Sequence, residues 1–268
     1  KLWALIIAVV FVISELVCVA CVPERPVACD EKPGKISDMF KALFKNDQAM
    51  TVVVSIILVY TSLNICGNLV LYFFRFDVGN EGAYSIFAAV AFAAQVLVMM
   101  VIPLLRKRFS KSQLFISGFI IQIAGFAVIL IMAFAKLYTP QSWYILCLPG
   151  ILIYLGYGML NVIMTIFLSD SVDYGEVMNG TREESVIFSM QTFTVKLASG
   201  VAVFLAGLVV DWIHLDTAAA VQTQDTLDAL RMWMTIPSVI LLIVGIFVFK
   251  RFYKLDDTRM EEIKSKLN

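Results

Sequence analysis

The chain has 268 residues, no formal net charge at pH 7, and 60% hydrophobic against only 16% charged residues. With a mean hydropathy of +0.86, such a composition excludes an exterior built for water and leaves no basic surface for nucleic acid. The expected class is an all-α integral membrane protein.

Seven apolar stretches, near 2–22, 50–73, 83–105, 113–135, 143–168, 186–212 and 231–249, are each long enough to cross a hydrocarbon core. All are expected to be helices, because an open chain in lipid must satisfy its own backbone hydrogen bonds and no alternating ten-residue pattern of a barrel occurs.

The first stretch follows Lys1, with no initiator Met. It reads either as a signal peptide with an apolar core from Ile6 to Ala20, or as the last helix of an N-terminal bundle in a fragment of a longer chain. The second reading is adopted, since the later spans require the Lys/Arg-rich segment after residue 22 to be cytoplasmic. Residues 23–49 are then a cytoplasmic linker broken by Pro23, Pro26 and Pro33. Within it Ile36, Met39, Phe40, Leu43 and Phe44 recur at helical spacing among Asp38, Lys41 and Lys45, as in a short helix on the membrane surface or a protein-docking segment. Residues 50–250 form a six-helix bundle and 251–268 a tail.

Sixteen of the 21 Lys and Arg fall in the linker, the third-to-fourth and fifth-to-sixth connections and the tail. These sides are expected to be cytoplasmic, the C-terminus included. All four tryptophans, Trp3, Trp143, Trp212 and Trp233, lie near the opposite helix ends, where an aromatic belt forms. The cysteines Cys18, Cys21, Cys29, Cys66 and Cys147 lack metal-ligand spacing and read as packing residues, and His214 reads as an interfacial histidine. With no nucleotide, nucleophile or zinc motif, neither an enzyme nor a cofactor is expected.

Three spans carry polar stripes. In the second, Tyr60, Asn64, Asn68 and Tyr72 recur every four residues, joined by Thr61. In the fifth, Tyr154, Tyr157, Gly158, Asn161 and Thr165 share an arc, and in the sixth Ser189, Thr192, Lys196 and Ser199 do so, with Gln191 at its edge. Hydroxyls, amides and rings together suit a polyhydroxylated ligand, while interhelical hydrogen bonding explains any single Asn or Thr equally well. Ala198, Ala202 and Ala206 make a small-residue packing seam on another face of the sixth span.

Lys196 is the sharpest of these signals. It lies ten positions into the stretch from Val186 to Trp212, hence roughly 15 Å below the nearer end and near mid-membrane. A Lys at a helix centre costs about 2.5–3.5 kcal/mol on insertion scales, so it is expected to face a wet cavity or a carboxylate.

The segment Ser169 to Glu176, followed by Gly180 to Ser185, is expected to be an acidic cytoplasmic loop. Asp170, Asp173, Glu176 and Arg182 form either a charge latch that opens as bundles rock apart or a solvated loop that caps the next helix.

The run Asp170, Asp173-Tyr174-Gly175-Glu176, Arg182, Glu184-Ser185, Ser189, Gln191-Thr192 and Lys196 resembles the tenth-to-eleventh helix region of the glycoside-pentoside-hexuronide:cation symporters, the melibiose permease family within the major facilitator superfamily. The resemblance is sharpest over about 30 residues, and the topology is compatible with the sixth to twelfth helices of that family. It implies bacterial inner-membrane symport of a sugar with Na⁺, Li⁺ or H⁺. It further implies that Gln191, Thr192 and Lys196 lie by the sugar and coupling site, and that Asp170, Asp173 and Arg182 belong to a cytoplasmic gate. The family's cation-binding carboxylates sit in N-terminal helices that the expected fragment lacks, and Asn161 stands where the melibiose permease has a Trp.

The expected function is thus sugar or glycoside symport by alternating access, with Lys196, Thr192, Gln191, Asn161, Asn64, Asn68 and Tyr157 around the substrate. A cation-coupled lysolipid or amphiphile carrier on the same scaffold, and a transport-inactive membrane sensor, are the alternatives. The residues do not specify the sugar, the cation or the oligomeric state.

Overall fold

The computed structural model describes residues 2–21, 44–180, 182, 184–219 and 221–267. Two compact units divide the chain, residues 1–36 and 37–268. The first contributes one helix, α1 (Leu2–Cys21), whose apolar stretch Leu5–Cys18 is shorter than the spans of the second unit. Cys18 and Cys21 are exposed on it rather than packed. The expected surface helix of the linker falls outside the described residues except for Phe44 and Lys45.

The second unit contains α2 (Asp47–Tyr72, continuing as a π-helical turn Phe73–Asp77), α3 (Ala83–Leu105), α4 (Lys111–Phe134), α5 (Cys147–Asn179, entered through a 3₁₀ turn Trp143–Leu146), α6 (Glu184–Trp212), α7 (Gln224–Phe252) and α8 (Asp257–Leu267). Among the described residues six helices, α2 to α7, are long and apolar enough to cross a membrane. The seventh expected span, 2–22, is not among the six.

Two boundaries correct the sequence expectation. The acidic segment from Ser169 is not a loop: α5 runs 33 residues to Asn179 and stops only at Gly180, which adopts φ 73. No proline lies between Ser169 and Asn179, and Gly175 is carried inside the helix. At about 1.5 Å per residue α5 is about 50 Å long, so about 20 Å of it stands clear of a ~30 Å hydrocarbon core and charge there is tolerable. Likewise α7 begins at Gln224, capped by Thr223, and takes Arg231 into its interior.

α2 is the hub, packed against α5, α6 and α7, while α5 also holds α3 and α4 and α7 also touches α4. The α4–α5 approach depends on glycine: a Cβ on Gly156 would lie 2.5 Å from the Gly118 carbonyl oxygen. Phe115, Phe167 and Phe249 join α4, α5 and α7, with Phe115 ring centroids 5.1 and 4.5 Å from the other two. Ser62 and Ser238 exchange hydroxyl-to-carbonyl hydrogen bonds of 3.1 and 2.8 Å between α2 and α7, satisfying polar groups that lipid would leave unpaired. The tail helix α8 packs Leu255, Met260 and Ile263 of its region on Tyr174 and Val177 of the α5 extension.

Candidate functional site

The polar stripes of α2 and α5 meet, and α6 joins them through Gln191, at the edge of its own stripe. The Asn161 amide on α5 donates to the Tyr60 hydroxyl on α2 at 2.5 Å. The Tyr60 ring stands edge-on to Tyr157 at 5.5 Å, and Tyr157 edge-on to Tyr154 at 6.4 Å. Between α5 and α6, Gln191 donates to the Thr165 hydroxyl at 3.4 Å, and Thr165 donates to the Asn161 carbonyl at 3.2 Å. These contacts form a chain Tyr60, Asn161, Thr165, Gln191 across three helices.

Asn64 and Asn68 turn inward on their own helix, their amides donating 2.7 Å bonds to the carbonyls of Tyr60 and Asn64. An amide that spends one donor this way keeps its side-chain oxygen as an acceptor. Thr192 likewise bonds back to Phe188, at 3.4 Å. Both asparagines are half-buried and Thr192 is exposed.

α6 buries a narrow stripe of Thr194, Ala198, Ala202, Ala206 and Val209. Lys196 is two residues from Ala198, about 200° around the helix, so it points away from that seam. Its side chain is exposed, and among the described residues no hydrogen bond or ion pair holds it. The ammonium is left for something outside the packed surfaces of this unit.

At the tail end the charges sort differently from expectation. Arg182 bonds Asp173 at 3.1 Å, Glu176 at 2.8 Å and Glu184 at 3.1 Å, tying the end of α5 to the start of α6. Its guanidinium is held well above the usual arginine range, chiefly by the hydrogen bonds to Glu176 and Glu184. Asp170 does not join this set. It is buried and pairs with Lys111 in the first turn of α4, which also lies 3.4 Å from Asp257 of α8. Asp257 in turn meets Arg106, at 3.4 Å. Lys111 had counted only as a loop cation, since its partners stand 59 and 146 positions away in sequence.

Sequence reading also missed a cluster at the opposite end. Arg231 of α7 grips Asp77 at 2.5 and 2.8 Å and Asp228 at 2.7 Å, and the Tyr138 hydroxyl donates to Asp77 at 2.6 Å. Asp77 sits just past the apolar part of its span and Arg231 opens the last apolar run, so two opposite charges at corresponding depths were the available signal.

Among the described residues no group of His, Cys, Asp and Glu is arranged to hold a metal ion. What the geometry offers is a hydrogen-bonding wall with aromatic edges and one exposed cation, suited to holding a polar ligand and without a positioned nucleophile.

The family described as MFS/sugar transport protein matches residues 2–257. The chain is 25% identical over 254 residues to an uncharacterized symporter, YjmB, of Bacillus subtilis, covering 94% of this chain and 54% of that protein. It is 25% identical over 256 residues to the isoprimeverose transporter of Lactiplantibacillus pentosus, covering 94% and 51%. It is 23% identical over 234 residues to the raffinose carrier protein of Pediococcus pentosaceus, covering 87% and 35%. The chain therefore spans about a third to a half of the length of these relatives.

Proposed function

Because the chain belongs to the MFS/sugar transport protein family, we propose that it forms the C-terminal six-helix bundle, preceded by the last helix of an N-terminal bundle, of a symporter that carries a sugar or glycoside together with Na⁺ or H⁺. The protein is a multi-pass membrane protein; on this reading it lies in a bacterial inner membrane with α8 in the cytoplasm, and it performs no covalent chemistry.

The carrying observation is the chain Tyr60, Asn161, Thr165 and Gln191 across α2, α5 and α6, with Lys196 exposed on α6 five positions beyond Gln191. Such a wall offers both donors and acceptors to sugar hydroxyls and the edges of Tyr60 and Tyr157 to an apolar ring face. Lys196, unpaired among the described residues, serves to offset carboxylates that residues outside this sequence contribute to a central cavity, and through them to couple cation and sugar occupancy. The cation itself binds mainly to those residues. Alternating access follows from rocking of two bundles about the site, with the Arg182 cluster closing the cytoplasmic side.

The test is cation-driven uptake of radiolabelled glycosides into vesicles carrying the intact protein. Lys196→Ala should abolish coupled uptake while leaving membrane insertion intact. Full coupled transport by that variant refutes the assigned role, and failure of free sugars to compete with an amphiphile that is transported would favour the lipid-carrier alternative.

A further inference from the structure

We propose that α6 carries a second polar subsite at its far end, around Asp211, which receives one ring of a neutral polyhydroxylated ligand; the inference rests on the sugar-transport reading above. Gly200, Gly207 and Asp211 follow Lys196 by four, eleven and fifteen positions. At 100° per residue all four share an arc of about 60°, and Asp211 lies about 22 Å along the helix from Lys196. A Cβ built on Gly200 or Gly207 meets no heavy atom within 4 Å. The face between the two charged residues is thus open rather than a packing seam.

At its Asp211 end this face borders a cavity of about 550 Å³ lined by Asn68, Tyr72, Gly207, Val210 and Asp211 among others, a size within the range of small-molecule sites. Its α2 wall continues the stripe that begins at Tyr60. Tyr72 lies parallel to Phe76 with ring centroids 6.5 Å apart, a flat aromatic surface for the apolar face of a sugar. Asn68 has one amide hydrogen committed to Asn64 and keeps its oxygen as an acceptor. Asp211 makes no side-chain hydrogen bond or ion pair among the described residues.

Asp211 also sits where local electrostatics disfavour it. It occupies the last turn of α6, the negative end of the helix dipole, where a carboxylate is destabilising rather than stabilising. A carboxylate and an amide oxygen facing an aromatic ring form an acceptor-rich site, which selects hydroxyl donors and repels a sugar acid. With Lys196 offset by carboxylates on the reading above, the Asp211 end sets the charge preference and favours a neutral substrate entering with its hydroxyls toward Asp211.

The experiment uses vesicles carrying the intact protein, with radiolabelled lactose, raffinose and isoprimeverose as neutral probes and glucuronate as the anionic one. Asp211→Asn, Tyr72→Leu and Gly207→Leu should each raise the KM for a transported neutral sugar about tenfold while kcat falls less than about threefold. Asp211→Asn should also narrow the preference for neutral sugar over glucuronate. Gly207→Leu fills open space inside a helix, so its thermal midpoint should match or exceed that of the unmodified protein. An unchanged sugar KM in these variants overturns the subsite while leaving sugar transport intact, as does a shift confined to the cation KM. Absence of uptake of every probe by the unmodified protein overturns both readings.

Discussion

The Lys111 ammonium lies 2.5 Å from the Asp170 carboxylate, and both side chains are only 7% exposed, so a buried ion pair joins the first turn of α4 to the extension of α5. Breaking such a pair strands the other charge, at a cost of about 3–5 kcal/mol, whereas replacing both partners with apolar residues of similar size is often neutral. Lys111→Met, which strands Asp170, should therefore lower the thermal midpoint of the detergent-solubilised protein more than Asp170→Leu, which leaves Lys111 3.4 Å from Asp257, and the double variant should recover most of the Lys111→Met loss. Additive losses in the double variant would show that the two side chains act independently.

Tyr138 tests the opposite end. Its phenol is held well above the usual tyrosine range, first by burial and then by the hydrogen bond it donates to Asp77, so it remains a neutral donor throughout the physiological pH range. Tyr138→Phe removes one bond to a charged group and should cost about 1.5–3 kcal/mol. Chemical unfolding monitored at pH 7 and 9 should show the same loss at both, since the phenol does not ionise between them.

Two glycines should respond in opposite directions. Gly156→Ala brings a methyl group to 2.5 Å from the Gly118 carbonyl oxygen and 2.6 Å from the Gln122 nitrogen, both backbone atoms that cannot step aside. The α4–α5 seam must part, and overpacking of this kind costs about 1–3 kcal/mol. Gly200→Ala meets nothing within 4 Å and improves helix propensity by up to about 1 kcal/mol. Thermal midpoints of the two variants, measured side by side, check the contrast.

The helices were legible because lipid imposes a length and an apolar composition on every span, and the polar stripes because 3.6-residue periodicity places Tyr60, Asn64 and Asn68 on one face. The partners were not. Asn161 and Tyr60 are 101 positions apart and Lys111 and Asp170 are 59, and no local pattern links residues that only helix packing brings together. The misread loop at Ser169 has a different cause. Apolar content marks where lipid ends, and a helix continues past that point until a residue such as Gly180 stops it.

Asp257 gives a pH signature. Burial raises its carboxyl, but Arg106 and Lys111 lower it more, leaving it below the usual carboxylate range. With an unfolded value of about 3.9, the stabilisation is present above that pH and is lost as pH falls through the lower folded value. The stability difference between the unmodified protein and Asp257→Asn should hold at pH 6 and shrink as pH falls below the ordinary carboxylate value, with hydrogen exchange of α8 as the readout. A difference that persists at the acid end would mean the carboxylate contributes through shape and not charge.

Arg182 is the case in which stability and function should separate. Its side chain is 47% exposed and meets three carboxylates, of Asp173, Glu176 and Glu184. Exposed pairs of this kind contribute about 0–1 kcal/mol, so Arg182→Ala should barely move the thermal midpoint. It nevertheless removes the one cation holding together three like charges at the junction of α5 and α6, two helices that make few other contacts with each other. Loss of that neutralisation favours whichever conformation spreads the acids apart. Cysteine accessibility on the two sides of the membrane should accordingly shift toward the state open at the tail end, and Arg182→Lys should restore part of the balance because it keeps the charge without the fork geometry. An unaltered accessibility pattern in Arg182→Ala would reduce the cluster to a solvated helix junction.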